Sequence, residues 1–167
     1  ISAQRILALS YSKASAMDFR HRFLSLFEGK AASEVHFSTL HAFALGVVRK
    51  YWSDKQRKVV LVDSDGSGYQ RYSHIAKVYH QTLNQFATKE VLEELFSEFS
   101  YVKNAMCDMA SYRPKATGFM PCYLAYESEK QKRGLIDFDD MLLIALEAFR
   151  ASPPLLQALQ QKFTHFF

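Results

Sequence analysis

The sequence is poor in cysteine. Cys107 and Cys122 are the only two in 167 residues, and neither sits in a metal-ligand spacing. A disulfide-stapled scaffold and a cysteine zinc site are therefore excluded, and a reducing cytoplasm is the expected compartment. No apolar run reaches the roughly 18 residues that a membrane-spanning helix needs, and no signal-peptide pattern opens the chain, so no membrane partner is expected. The six histidines form no HExxH pair, and there is no Gly-x-Ser-x-Gly elbow. No Gly-Lys-Ser/Thr follows the glycines of residues 63–68, so no complete ATP site is present. Metallohydrolases, α/β-hydrolases and self-contained nucleotide enzymes all lose support. The first residue is Ile rather than Met, so the sequence reads as a piece of something longer.

What is present is the composition of a globular domain. Hydrophobic residues make up 49% and charged residues 23%, which argues against a disordered tail and allows a real core. The net charge of +4 is unevenly placed. Residues 1–58 carry ten Lys and Arg against four Asp and Glu, so the basic third lies at the N-terminus. That points toward a polyanion such as nucleic acid, or simply toward a basic solvated surface.

The patterning divides the chain into three parts. Residues 5–10 form a short apolar run of the kind a buried parallel strand shows. Ala16, Phe19, Phe23, Leu26 and Phe27 then fall at helical spacing, with Gly29 as a stop. Residues 35–38 read as a second strand, and Leu40, Phe43, Val47, Val48 and Tyr51 mark a second helix. Strand, helix, strand, helix is the rhythm of a parallel sheet with crossovers. After a short extended piece at 59–62 and a turn-rich loop at 63–68, residues 69–106 are helical, divided near 87–89. A loop at 113–118 leads to a helix over 119–133, ended by Gly134. Asp137 opens another helix, with Phe138, Met141, Leu142, Ala145 and Phe149 as its stripe. A short helix over 155–162 and a strand beginning in 163–167 close the chain.

Four segments carry candidate chemistry. Residues 63–68 resemble the start of a calcium loop, but His74 stands where a bidentate Glu is required, so they read as a turn. Asp137, Asp139 and Asp140 cluster at a helix start. There Asp137 is a natural N-cap and the other two suit the helix dipole, although paired carboxylates also bind Mg²⁺. Ser10, Tyr11, Ser12 and Lys13 follow the first strand, and Ser38, Thr39 and His41 follow the second. Hydroxyls, a ring and a cation suit single-stranded nucleic acid, and helix N-termini suit phosphate. A capping box with a buried Tyr11 fits the same residues equally well.

A family resemblance separates these readings. The string Ile-Leu-Ala-Leu-Ser-Tyr-Ser-Lys-Ala-Ser-Ala over residues 6–16 resembles motif Ia of superfamily I DNA helicases of the UvrD/Rep/PcrA type. Phe-Ser-Thr-Leu-His-Ala over 37–42 resembles their S-T-F-H-S segment, and Leu-Ile-Asp-Phe-Asp-Asp-Met-Leu over 135–142 their S-L-D-F-D-D-L segment. Lys-Phe-Thr-His-Phe-Phe over 162–167 is similar to the strand that leads into their Walker B motif.

The resemblance implies a mainly α fold with a few short parallel strands, a fragment of a RecA-like α/β (P-loop NTPase) domain carrying an all-α insertion. Residues 1–58 would be part of domain 1A, 59–133 the helical 1B insertion, and 134–167 the return to 1A just before Walker B. It further implies an ATP-dependent 3′–5′ DNA helicase that uses ATP and Mg²⁺ as the full-length protein. This segment would lie between Walker A and Walker B, without a catalytic residue, a bound cofactor or activity of its own. Its partners would be single-stranded DNA, single-strand/duplex junctions and the remaining helicase domains of the same chain. Tyr11 stands where the family has a base-stacking Phe, with Ser10 and Ser12 in place of threonines. Lys13 and Ala14 replace an Asn-Lys pair, while Thr39 and His41 match the T-x-H residues implicated in DNA contact. Asp137, Asp139 and Asp140 match the acidic motif, for which a capping and packing role is expected. The motor of a RecB/AddA-like helicase–nuclease shares these motifs, and a non-catalytic nucleic-acid- or protein-binding relative is the rival from another class.

Overall fold

The computed structural model describes residues 2–27, 29, 33–63 and 68–167. The chain divides into two compact units, one formed by Ile1–Arg57 with Ile144–Phe167 and the other by Lys58–Leu143. The architecture is mainly α-helical with a few short parallel strands. It is in keeping with an α/β RecA-like domain that carries a helical insertion.

The first unit is built on a three-stranded parallel sheet. Its strands are β1 (Ile6–Ser10), β2 (His36–Thr39) and a C-terminal strand (His165–Phe166), in the order β2, β1, C-terminal strand. Parallel neighbours need crossovers, and helix α1 (Lys13–Leu26) lies in sequence between β1 and β2. The ladder pairs Leu7 with His36 through to Ser10 with Thr39. Helix α2 (Leu40–Ser53) follows directly and buries Ala44, Val47, Val48, Tyr51 and Trp52. Val47, Val48 and Tyr51 of the expected stripe are among them, while Leu40 and Phe43 are only half-buried and Ala44 and Trp52 join the buried face. Helix α1 differs: none of its residues is buried, and Phe19 and Leu26 are exposed. Phe23 instead makes ring contacts with Phe27 and Phe37 at 4.7 and 5.6 Å.

The second unit is a helical block with one small ladder. Its helices α3 (Tyr69–Leu83), α4 (Lys89–Asn104) and α5 (Phe119–Arg133) enclose Ile75, Val78, Tyr79, Leu95, Phe99, Val102, Phe119, Cys122 and Tyr126. Each fully buried large side chain is worth about 1.5–3 kcal/mol relative to exposure. Thr88 caps α4 by accepting from Val91 N at 3.4 Å, which is why the helical run breaks near residues 87–89. The ladder pairs β3 (Val60–Leu61) with β4 (Leu135–Ile136) in parallel.

Several boundaries differ from the sequence expectation. The second strand is shifted one residue toward Thr39, because Thr39 ends the ladder and caps α2. The last helix, α7 (Pro153–Lys162), begins two residues earlier, since proline is tolerated in a first turn whose N–H groups lack partners anyway. In helix α6 (Phe138–Ala151), Met141, Ala145 and Ala148 are buried but Phe138 is 53% exposed, so the expected stripe loses its first member. Of the loop at residues 63–68 only Asp63 and Gly68 are described. The Asp63 carboxylate accepts from Gly68 N, and the rest of that reading lies outside the described residues.

Candidate nucleic-acid interface

The segments following β1 and β2 emerge side by side because Ser10 and Thr39 pair on the last rung of a parallel ladder. Both lead straight into helices, so two helix N-termini share one end of the sheet, the end where open α/β sheets carry ligands. Ser12 caps α1, accepting from Ser15 N at 3.0 Å, and its hydroxyl also meets Ser15 Oγ at 2.8 Å. Ser10 Oγ donates to the Ser12 carbonyl at 2.9 Å. These contacts fix the backbone of the loop and leave the Tyr11 ring 86% exposed. A buried Tyr11 is therefore ruled out. Lys13 is exposed in the first turn of α1 and makes no ion pair with a described residue. On the neighbouring segment Thr39 caps α2 through Ala42 N at 3.1 Å, Ser38 Oγ donates to the Thr39 carbonyl at 3.1 Å, and His41 is half-buried in the first helical turn. An exposed ring, an exposed cation and two helix starts form a surface able to stack a base and meet phosphates.

The acidic motif forms a different kind of site, buried in the second unit. Asp137 and Asp140 make a reciprocal cap: Asp140 N donates to Asp137 Oδ1 at 3.0 Å, and Asp137 N to Asp140 Oδ2 at 2.8 Å. The remaining oxygen of Asp137 meets Lys103 Nζ and Lys130 Nζ, each at 2.8 Å, and the Tyr126 hydroxyl at 3.1 Å. Both ammoniums also reach Asp140 and Glu127. Asp139 faces elsewhere, binding Arg71 Nη1 at 2.8 Å, Ser100 Oγ at 2.8 Å and Asn104 Nδ2 at 3.0 Å. Burial alone would raise the Asp137 pKa, but the positive charges of Lys103, Lys130 and Arg71 overcome it and hold the carboxyl well below the usual range. By the same balance, burial would lower the Lys103 pKa, and the carboxylates raise it.

Glu127, Asp137 and Asp140 bring carboxylate oxygens within 4.8 Å of one another, a spacing that invites a divalent cation. Two lysine ammoniums stand among them, so this donor set is already neutralised and does not fit Mg²⁺. Asp137, Asp139 and Asp140 are legible in the sequence, whereas Glu127, Arg71, Lys103 and Lys130 are not. The only local signal is the Glu127–Lys130 spacing of three, which by itself describes an ordinary surface pair.

Comparison with known proteins agrees in family. The model of the UvrD/REP helicase N-terminal domain matches residues 1–167. The ATP-dependent DNA helicase PcrA of Leuconostoc citreum is 24% identical over 168 residues, covering 96% of this chain and 22% of the relative. The probable DNA helicase II homolog of Mycoplasma genitalium is 22% identical over 177 residues, covering 99% and 25% respectively. PcrA of Bacillus subtilis is 22% identical over 183 residues, covering 99% and 22%. The chain thus spans about a quarter of the length of these relatives. Among the described residues no single helix is long and apolar enough to cross a membrane.

Proposed function

The chain belongs to the UvrD/REP helicase N-terminal domain family, and on that premise we propose that it is the DNA-binding segment of an ATP-dependent 3′–5′ DNA helicase. In this reading the segment lies between the Walker A and Walker B motifs of the whole protein. Residues 1–58 and 134–167 belong to domain 1A and residues 59–133 to the 1B insertion; a separately compact helical unit supports an insertion there, although that unit, Lys58–Leu143, also takes in residues 134–143 with the acidic motif. ATP and Mg²⁺ are used by the flanking motifs, and the segment alone hydrolyses no nucleotide. Its partners are single-stranded DNA, single-strand/duplex junctions and the other domains of the same helicase.

One observation carries the reading. Tyr11 is 86% exposed on a loop whose neighbour across the sheet is the Thr39 turn. A ring displayed on a backbone fixed by Ser10 and Ser12 is preorganised to stack on an unpaired base, with Lys13, Thr39 and His41 beside it for phosphates. Asp137, Asp139 and Asp140 have no role in this chemistry; they hold the helical unit together. Fluorescence anisotropy with a single-stranded oligodeoxynucleotide tests the reading. Binding is expected with the native chain and weaker binding with Tyr11→Ala, whereas equal affinity for both chains would remove its central contact.

A further inference from the structure

The second unit holds a preformed pocket that none of this chemistry uses. A cavity of about 550 Å³ opens between α4 and the loop that follows it, with Glu98 and Tyr112 in its lining and Tyr101, Arg113 and Lys115 around it. Glu98 is nearly buried, and its carboxylate accepts from the Tyr112 hydroxyl at 2.6 Å, Lys115 N at 2.8 Å and Ala116 N at 2.7 Å. Asp108 fixes the start of the same loop, accepting from Ala110 N at 3.1 Å and Ser111 Oγ at 2.9 Å. The loop is therefore ordered before any ligand arrives, which spares a ligand the entropy of ordering it.

What the pocket leaves open is specific. The Tyr101 ring is 59% exposed and lies 6.4 Å from the half-buried Tyr112 ring, centroid to centroid. Arg113 donates only to the backbone carbonyls of Ser111 and Tyr112, at 3.1 and 3.3 Å. Neither Arg113 nor Lys115 makes an ion pair with a described residue. Tyr112 packs on Phe119 at 5.7 Å and is hydrogen-bonded to Glu98, so the open groups are the Tyr101 ring and the two cations. The inward N–H groups of Lys115 and Ala116, which an extended peptide would need, already serve Glu98.

We propose that this pocket is a second subsite for single-stranded nucleic acid, taking one unpaired base against Tyr101 and its phosphate at Arg113 and Lys115. Glu94 also lines the pocket and disfavours a phosphate placed beside it. The inference rests on the reading that this chain handles nucleic acid, and it concerns a site separate from Tyr11.

Photo-crosslinking of the full 167-residue chain with a short oligothymidylate carrying 4-thiothymidine, mapped by mass spectrometry, tests both sites independently. Crosslinks are expected on the peptide bearing Tyr101 or Tyr112 as well as on that bearing Tyr11. Tyr101→Ala is expected to weaken oligonucleotide binding about five-fold or more without lowering the melting temperature, since the ring is mostly exposed. Arg113→Ala is expected to reduce the slope of log affinity against log salt by about 0.7, the single-strand value per phosphate. Crosslinks confined to the Tyr11 peptide, with Tyr101→Ala at native affinity, overturn the second subsite and leave the first. Crosslinks confined to the pocket overturn the first and leave the second. Displacement of the oligonucleotide from Tyr101 by an acidic peptide but not by unlabelled oligothymidylate would make the pocket a protein-docking site and overturn the proposal.

Discussion

Ser10 and Thr39 are register partners on the last rung of the β1–β2 ladder. Two segments separated by the whole of α1 thereby start from a common backbone frame. Each then turns into a helix capped by a hydroxyl, Ser12 for α1 and Thr39 for α2. Each cap satisfies one first-turn N–H, Ser15 N in α1 and Ala42 N in α2. Placement of Tyr11 and Lys13 beside Thr39 and His41 follows from strand pairing alone and needs no long-range side-chain contact.

The buried ionic cluster sets the stability of the helical unit. Asp137 has essentially no exposed side chain and contacts two lysines that are equally buried. Asp137→Asn leaves both ammoniums short of a charge in a desolvated site and should cost about 3–5 kcal/mol. Asp18→Asn breaks a pair with Arg22 whose side chains are 52% and 75% exposed, and it should cost less than about 0.5 kcal/mol. Urea denaturation of the two variants measures the contrast; comparable losses would mean that the cluster is solvated.

The sequence made some of this legible and hid the rest for physical reasons. Thr88, Gly118, Gly134 and Asp137 mark helix ends through local chemistry, and the structure has breaks at each. Val47, Val48 and Tyr51 of the α2 stripe are buried as their spacing implies, yet no residue of α1 is. Periodicity records a face that gains from burial, whereas topology decides whether another element covers it. Lys103 and Lys130 look like solvated helix residues because their carboxylate partners lie up to 37 positions away. Glu98 looks the same until the loop at 112–116 folds over it.

Two glycines at positive φ should respond differently to alanine. Gly118 has φ +73, and an added Cβ would stand 2.5 Å from Leu83 Cδ1 of α3, whereas Gly134 has φ +65 with nothing within 4 Å. Gly134→Ala should cost only the left-handed backbone strain, about 1–2 kcal/mol. Gly118→Ala adds the displacement of a packed leucine and should cost about 1–3 kcal/mol more. Thermal melts of the two variants report the difference, and equal losses would show that Leu83 moves aside freely.

Acid should unfold the helical unit through its paired carboxylates. Burial tends to raise the Glu98 pKa, but hydrogen bonds from Tyr112, Lys115 and Ala116 outweigh it, so the group sits below its ordinary value when folded. A lowered folded pKa means that the stabilisation is complete above the unfolded value near 4.3 and is lost as pH falls through the folded value. Asp137 acts in the same direction. The melting temperature should therefore drop from about pH 5 downward. Glu98→Gln should be less stable at neutral pH by about 1–3 kcal/mol, since an amide cannot accept from all three donors. It should also show a shallower acid slope. A slope identical to that of the native chain would mean that Glu98 is not a source of the acid sensitivity.

Salt dependence separates the two contacts offered by the β1 loop. Stacking of Tyr11 on a base releases few counterions, so Tyr11→Ala should weaken single-stranded DNA binding by about 1–3 kcal/mol at every salt concentration. Its slope of log affinity against log salt should match that of the native chain. Lys13 carries a charge with no described ion-pair partner, and on meeting a phosphate it releases a counterion. Lys13→Ala should therefore lower the slope by about 0.7, the single-strand value per phosphate, with a loss that is uniform across sequences. Because both side chains are exposed, neither substitution should shift the melting temperature by more than surface changes usually do. Anisotropy titrations across a salt series give both slopes. If Tyr11→Ala flattened the salt slope, or lowered the melting temperature with affinity unchanged, the ring would not be the stacking contact of this interface.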